Sequence, residues 1–298
     1  MKHLDSVQHS EEKVKKTNDI EITYDTFGEP SDQAMLLIMG LGEQMIAWDE
    51  EFCCQLAAKG YWVIRFDNRD VGASTKFDKA GVPNLIALMQ GKTVEVPYTL
   101  DEMAKDTIGL LDALDIKVAH IVGVSMGGMI AQTVAIKYPG RVRTLTSIMS
   151  STGDPGLPPP KPEAGQLLYT PAPTERAAYI EHSVKVWRIL GSPGFPFNEE
   201  GTREFAGQVY DRGLNPAGFG RQLAAIYASG SRKDALKSIN IPTLVIHGDA
   251  DPLIPLEAGK DTAESIPGAK LMVIGGMGHN LPLEVWPKVV DAIAEHAL

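Results

Sequence analysis

The stretch Gly123-Val124-Ser125-Met126-Gly127 is the most informative part of this 298-residue sequence. The continuous apolar run Ala119–Val124 before it predicts a buried strand, and Met126–Tyr138 after it predicts a helix. A serine on so tight a strand-to-helix turn is held in a strained backbone conformation, with its hydroxyl raised above the sheet. Glycine two residues before and after it avoids collisions with strand and helix. The context therefore favours Ser125 as a nucleophile over an ordinary capping serine in a glycine turn.

Strand-like and helix-like segments alternate on both sides of this turn. An edge strand is predicted at Ile20–Phe27, and further strands at Ala34–Met39, Tyr61–Phe66, Thr144–Ser150, Thr243–Gly248 and Lys270–Ile274. Helices are predicted up to Lys59, from the capping box at Thr99, near Leu256–Ile266 and over Leu283–Ala297. This alternation predicts an α/β fold, a mostly parallel sheet with helices on both faces.

The alternation is interrupted between Ser151 and about Lys237, where proline and glycine are interleaved with amphipathic helical stretches. We predict a core formed by residues 1–150 and 237–298, with residues 151–236 inserted after about the sixth strand. Eight aromatic residues of the insertion are singled out as candidates to line an apolar pocket and set specificity. They are Tyr169, Tyr179, Trp187, Phe195, Phe197, Phe205, Tyr210 and Tyr227.

A serine nucleophile needs a histidine base that is oriented by a carboxylate. The loops after the last two predicted strands contain Asp251 and His279, and such loops gather at one edge of a parallel sheet. Asp249 is the competing carboxylate, but it lies closer to its strand and suits a turn that caps backbone N–H groups. The remaining histidines are weaker candidates. His3 and His9 lie in the N-terminal segment, His120 in the core, His182 in the insertion and His296 on the terminal helix, while His247 ends a strand beside the site.

Two backbone N–H groups are candidates for stabilising an oxyanion. Met126 begins the helix after the serine, so its N–H points toward the hydroxyl. The loop Gly40-Leu41-Gly42 follows a predicted strand, and its glycines give the backbone freedom to direct the Leu41 N–H inward. The same glycines would also suit a plain strand-to-helix turn.

Composition narrows the possible partners and location. The formal net charge of −10 would repel a phosphate backbone, so we expect no nucleic-acid partner. The first thirty residues contain no apolar segment long enough for a signal peptide or a membrane span, and we therefore expect a cytoplasmic protein without membrane contact. The adjacent Cys53 and Cys54 are expected to be buried free thiols on a helix, because a bridge between neighbours is strained.

The order of these motifs resembles the α/β-hydrolase superfamily, and more narrowly bacterial esterases related to aclacinomycin methylesterase. The resemblance is carried by Gly40–Gly42, Asp67–Ser74, the turn at Ser125, Asp251 and Gly278-His279, with a further likeness from Val186 to Phe197. It implies a helical cap over the site, a catalytic triad of Ser125, Asp251 and His279, oxyanion N–H groups from Leu41 and Met126, and neither cofactor nor metal. Arg69 and Asp70 are expected to brace the loop beneath the site.

These observations predict a serine hydrolase that cleaves small to medium apolar carboxylic esters through an acyl-enzyme. A serine at the turn argues against cleavage of carbon–halogen bonds or epoxides, for which relatives use aspartate. Carbon–carbon bond hydrolysis, perhydrolysis, amide or thioester hydrolysis, and ligand binding without turnover all remain open. The expected partner is a small ester, and the chain is expected to be a monomer or a homodimer.

Overall fold

A computed structural model of the protein describes residues 7–298, so His3 lies outside the described residues. Eight strands form one sheet in the order β1-β2-β4-β3-β5-β6-β7-β8. The strands are β1 Lys13–Thr17, β2 Ile20–Phe27, β3 Gln33–Ile38, β4 Tyr61–Phe66, β5 Ala119–Val124, β6 Val142–Ile148, β7 Thr243–Gly248 and β8 Lys270–Ile274. Pairing is antiparallel from β1 through β2 to β4 and parallel across the rest, as an α/β fold requires.

The prediction of β2 as the edge strand is wrong, because β1 pairs with it and forms the edge. A turn at Asn18, with φ 47°, reverses the chain between the two strands. Four of the five β1 residues are exposed and three are lysines, so the strand shows no apolar alternation. Lysines on an edge strand discourage pairing with other chains. The same lysines give this strand the sequence of a polar segment.

Eleven α-helices connect and cover the strands in the described part of the chain. They are α1 Glu50–Ala58, α2 Leu85–Met89, α3 Leu100–Ala113, α4 Met126–Lys137, α5 Pro162–Leu167, α6 Arg176–Leu190, α7 Glu199–Gly213, α8 Pro216–Ser229, α9 Lys233–Leu236, α10 Leu256–Ser265 and α11 Trp286–His296. Helix α1 begins only at Glu50, because the Asp49 carboxylate accepts the Glu51 N–H and caps it. Its two cysteines are free; Cys53 is buried and Cys54 is partly buried.

The core consists of two apolar clusters, one on each face of the sheet. Strand β3 contributes to both, because alternate side chains of a strand point to opposite faces. Leu36 and Ile38 belong to the cluster under α3 and α4, whereas Met35 and Leu37 belong to the cluster under α1 and α11. A strand buried in this way has a continuous apolar sequence, which explains why it was predictable.

Helices α5 to α9 lie between β6 and β7, where the sequence predicted an insertion. A buried ion pair ties this segment to the core: Arg221 of α8 donates from Nε and Nη2 to the Asp70 carboxylate at 2.8 and 2.7 Å. Asp70 thus holds the insertion in place, while Arg69 pairs with Asp106 of α3. Within residues 7–298, no helix is long and apolar enough to cross a membrane.

Candidate active site

Ser125 occupies the turn between β5 and α4 with φ 55° and ψ −119°, a conformation that side chains rarely adopt. The turn is tight because both flanking glycines touch backbone. A Cβ on Gly123 would lie 2.1 Å from the carbonyl oxygen of Gly127, and a Cβ on Gly127 would lie 2.1 Å from that of Ile38. These positions therefore require glycine, as the sequence indicates.

The three candidate triad residues form a continuous hydrogen-bonded chain that runs from the serine through the histidine to the carboxylate. The Nε2 of His279 is 3.0 Å from the Ser125 hydroxyl oxygen, and its Nδ1 is 2.7 Å from Oδ2 of Asp251. Asp251 accepts only, so Nδ1 carries a proton and a neutral ring leaves Nε2 free to accept the serine proton. This is the arrangement that activates a serine nucleophile.

Asp251 is buried and remains ionised because its surroundings stabilise the carboxylate. Its Oδ1 accepts the N–H groups of Leu253 and Ile254, each at 2.9 Å. Burial alone would raise the pKa of Asp251, but the charge and hydrogen bond of His279, aided by the Ile254 N–H, outweigh burial and lower it. Nearby His247 donates from Nε2 to the Ile254 carbonyl at 2.8 Å. Its pKa is lowered, mainly by burial.

The competing residues lie away from the serine. Asp249 is exposed and accepts the Gly276 N–H at 2.7 Å, so it caps backbone rather than orienting the base. His120 is buried between Thr144 and Gln33, and its pKa falls to about 4, chiefly through burial. His9 pairs with Asp25 near the N-terminus.

The loop after β3 lies directly against the serine. A Cβ on Gly40 would lie 3.3 Å from that of Ser125. The backbone N–H groups of Leu41 and Met126 donate to no acceptor within residues 7–298, so both remain available to an oxyanion. Two residues of α7 and α8 that the sequence did not reveal hold this loop. Gln222 of α8 accepts the Gly42 N–H at 2.8 Å, and the Val209 carbonyl of α7 accepts a side-chain N–H of Gln44 at 2.8 Å.

The loop carrying His279 also contacts the inserted helices. The backbone N–H of His279 donates to the carbonyl of Leu190 at 2.7 Å, and the Gly278 N–H donates to the Ser192 hydroxyl at 2.8 Å. The Ser192 hydroxyl in turn donates to Asn280 at 2.6 Å. No local sequence pattern marks Ser192, because its partners lie more than 80 positions further along the chain.

A cleft of about 1940 Å³ lies between the sheet edge and the inserted helices, with Ser125 and His279 in its wall. Seven of the eight aromatic residues singled out in the insertion line it, and Tyr210 does not. The Tyr210 hydroxyl instead donates to the Thr174 carbonyl at 2.8 Å. No group of three or more potential metal ligands occurs in the described part of the chain.

Comparison with known proteins identifies relatives over nearly the whole length. Residues 33–284 match the profile of the alpha/beta hydrolase fold family. A rhodomycin D methylesterase of Streptomyces sp. (strain C5) is 32% identical over 302 residues, covering 94% of this chain and 95% of the relative. A 2-hydroxymuconate semialdehyde hydrolase of Pseudomonas sp. (strain CF600) is 30% identical over 202 residues, covering 65% of this chain and 66% of the relative.

Solved structures show the same fold. The 2-hydroxy-6-oxo-6-phenylhexa-2,4-dienoate hydrolase of Rhodococcus sp. strain RHA1 superimposes with a TM-score of 0.78 at 21% identity, covering 98% of this chain and 99% of that structure. A thermophilic esterase from Thermogutta terrifontis superimposes with a TM-score of 0.71 at 24% identity, covering 96% and 97%. At these identities the likeness concerns the fold alone.

Proposed function

The chain belongs to the α/β-hydrolase fold family, and we propose that it is a carboxylic ester hydrolase acting through an acyl-enzyme on Ser125. The observation that carries the proposal is the hydrogen-bonded chain from Ser125 through His279 to Asp251 at the wall of a large cleft. The likeness to rhodomycin D methylesterases supports ester hydrolysis as the reaction type.

In the first half-reaction the Ser125 hydroxyl oxygen attacks the ester carbonyl carbon, and His279 accepts the hydroxyl proton at Nε2. The carbonyl oxygen becomes an oxyanion, which the N–H groups of Leu41 and Met126 stabilise with the aid of the N-terminus of α4. The imidazolium then gives its proton to the leaving alcohol oxygen as the carbon–oxygen bond breaks. An acyl group remains on Ser125.

In the second half-reaction the same groups act on water. His279 takes a proton from a water molecule, whose oxygen attacks the acyl carbon, and the same N–H pair binds the second oxyanion. Collapse releases the carboxylic acid and returns the proton to Ser125. Asp251 holds the ring in the required tautomer throughout and stabilises the transient positive charge.

The lining of the cleft favours apolar acyl or alcohol groups of small to medium size. Aromatic side chains from the inserted helices face the same space as Ser125, and pockets of this kind bind ligands mainly through apolar contact. The insertion therefore acts as the helical cap of the proposed enzyme.

Carbon–carbon bond hydrolysis is the second candidate, because a 2-hydroxymuconate semialdehyde hydrolase matches the sequence and a 2-hydroxy-6-oxo-6-phenylhexa-2,4-dienoate hydrolase shares the fold. It would use the same serine on a ketone carbonyl. Perhydrolysis and ligand binding without turnover, which the sequence also left open, have no specific observation in their favour.

The test is hydrolysis of p-nitrophenyl esters with acyl chains of two to sixteen carbons, by wild type and Ser125→Ala side by side. We expect nitrophenol release by wild type alone, with an optimum at short to medium chains. Release by both proteins, or by neither, would contradict the proposal. If neither releases nitrophenol, a vinylogous 1,5-diketone substrate then tests the carbon–carbon alternative.

A further inference from the structure

One carboxyl group that the cleft shields from bulk solvent has no partner among residues 7–298. Glu43 directly follows the loop Gly40-Leu41-Gly42 and lines the cleft. It receives no hydrogen bond and forms no ion pair with residues 7–298, whereas Asp154 in the same wall pairs with Lys233. An ionised carboxylate away from bulk water is unfavourable unless something compensates its charge.

Glu43 lies deep in the molecule and yet retains partial exposure. These observations agree if the exposed part of the side chain faces the cleft rather than bulk solvent. Burial raises the pKa of the Glu43 carboxyl to about 7, and no charged side chain contributes to the shift. The group therefore changes charge near neutral pH.

Both neighbours of Glu43 are held by hydrogen bonds, Gly42 through its backbone N–H and Gln44 through its side-chain amide. The Gly42 N–H donates to Gln222, and the Gln44 amide donates to the carbonyls of Val209 and Gly213. A Cβ at Gly42 would lie 2.5 Å from the Phe219 ring, so the loop packs closely against α8. The carboxyl is thus presented from a rigid segment, which is what a binding group requires.

The charged groups of the neighbouring helices do not neutralise it. Arg212 of α7 pairs with Asp67, and Arg221 of α8 pairs with Asp70. Tyr179 of α6 is a titratable group near Glu43. Burial, helped by the charge of Glu43, raises the pKa of Tyr179 to about 12, so its hydroxyl is neutral. His182, also on α6, lines the cleft. Its pKa is lowered, mainly by burial.

We propose that Glu43 is a specificity-determining residue that binds a protonated amine on the substrate. The inference rests on the proposed ester hydrolysis and narrows its substrate class to apolar esters that also carry a basic amine. An ammonium group would supply the missing hydrogen bonds and compensate the carboxylate in a site shielded from water. The aromatic walls would hold the apolar body of the same molecule.

The probes are octylammonium and octan-1-ol, which have the same chain and differ in charge at one end. Each is tested as a competitive inhibitor of p-nitrophenyl butyrate hydrolysis at pH 8.5, and the readout is the ratio of the two inhibition constants. We expect wild type to bind octylammonium about tenfold more tightly than octan-1-ol. Glu43→Gln should bring the ratio close to one, whereas Glu163→Gln, which removes an exposed carboxylate at the same cleft, should keep it.

A second measurement uses wild type only and does not depend on how a variant folds. At pH 5.5 Glu43 is protonated, because its pKa is about 7, whereas an alkylammonium, with a pKa of about 10, stays charged. The ratio should therefore fall toward one as pH drops from 8.5 to 5.5.

A ratio near one in wild type at pH 8.5, or a ratio that survives Glu43→Gln, would overturn the inference. Should wild type not hydrolyse p-nitrophenyl butyrate, the proposed ester hydrolysis fails for that substrate. Calorimetric dissociation constants of both probes then decide the role of Glu43 independently.

Discussion

The backbone N–H of His279 donates to the carbonyl of Leu190, at an N···O distance of 2.7 Å. Leu190 is the last residue of α6, and its carbonyl has no acceptor role within the helix. His279, the proposed base, supplies the hydrogen bond that this carbonyl needs. The two segments touch elsewhere too, since a Cβ on Gly278 would lie 2.2 Å from the Gly191 oxygen. The inserted helices therefore position the histidine as well as covering the cleft.

We expect Ser192→Ala to lower kcat by about fivefold, with KM little changed. The substitution removes one acceptor for the Gly278 N–H and one donor to Asn280, and a hydrogen bond of this kind contributes about 1 kcal/mol. Steady-state kinetics with a p-nitrophenyl ester measures the effect.

Two further variants identify this as positioning rather than general destabilisation. Ser192→Thr keeps the hydroxyl and should restore much of kcat. Ser231→Ala removes an exposed hydroxyl that only accepts a local N–H, so it should leave kcat unchanged. An unaltered kcat in Ser192→Ala would show that the contact does not position the base.

Asp251→Asn should lower kcat by about 10⁴-fold, because an amide in that position no longer favours the Nδ1–H tautomer or stabilises the imidazolium. Asp249→Asn is the matched control; its side-chain oxygen can still accept the Gly276 N–H, and we expect less than about a tenfold loss. Rates for both variants on one ester decide between the two carboxylates, and the reverse order of effects would assign the role to Asp249.

Gly127→Ala should destabilise the protein by about 1–3 kcal/mol or prevent its folding, because the new methyl would overlap the Ile38 carbonyl. Thermal unfolding measures the change. Gly140→Ala is the control, since a Cβ there meets nothing within 4 Å. Equal melting temperatures for the two variants would show that the turn tolerates a side chain.

Asp70→Asn should destabilise the protein by about 3 kcal/mol at pH 7, since it leaves buried Arg221 with the exposed Asp78 as its remaining carboxylate partner. Burial opposes ionisation of Asp70, but hydrogen bonds from Arg221 and Tyr98 outweigh it and hold the pKa below the ordinary 3.8. The ion pair therefore adds stability above that value and loses it as pH falls through the lower folded pKa.

Melting temperatures of wild type and Asp70→Asn, compared at pH 7 and at pH 3, measure this dependence. The gap between them should narrow at pH 3. Asp211→Asn breaks an exposed pair with Arg176 and should change the melting temperature little at either pH. A gap that does not change with pH would contradict the assignment.

The sequence predicted the parallel strands and the three residues that meet at the sheet edge, because both leave local patterns. A strand buried on two faces, such as β3, shows as an apolar run, and the tight turn at Ser125 requires glycines at fixed spacing. Asp251 and His279 each follow a strand, and parallel topology brings such loops together.

The contacts that hold the site had no such pattern. Gln222 reaches the Gly42 N–H across 180 positions, and a glutamine on an amphipathic helix resembles any surface residue. Strand β1 was missed because its exposed lysines lack apolar alternation. Glu43 could be recognised only from the structure, in which its carboxyl lines the cleft and has no partner among residues 7–298.

Labelling with diethyl p-nitrophenyl phosphate tests whether Ser125 is the nucleophile that carries the proposed acyl group. Nitrophenol release should reach one equivalent per chain. Intact-mass and peptide analysis should place a single diethylphosphoryl group on Ser125, with none on Ser125→Ala and little on His279→Ala. Label on another residue, or ester turnover by a protein that takes up no label, would rule out the proposed acyl-enzyme on Ser125.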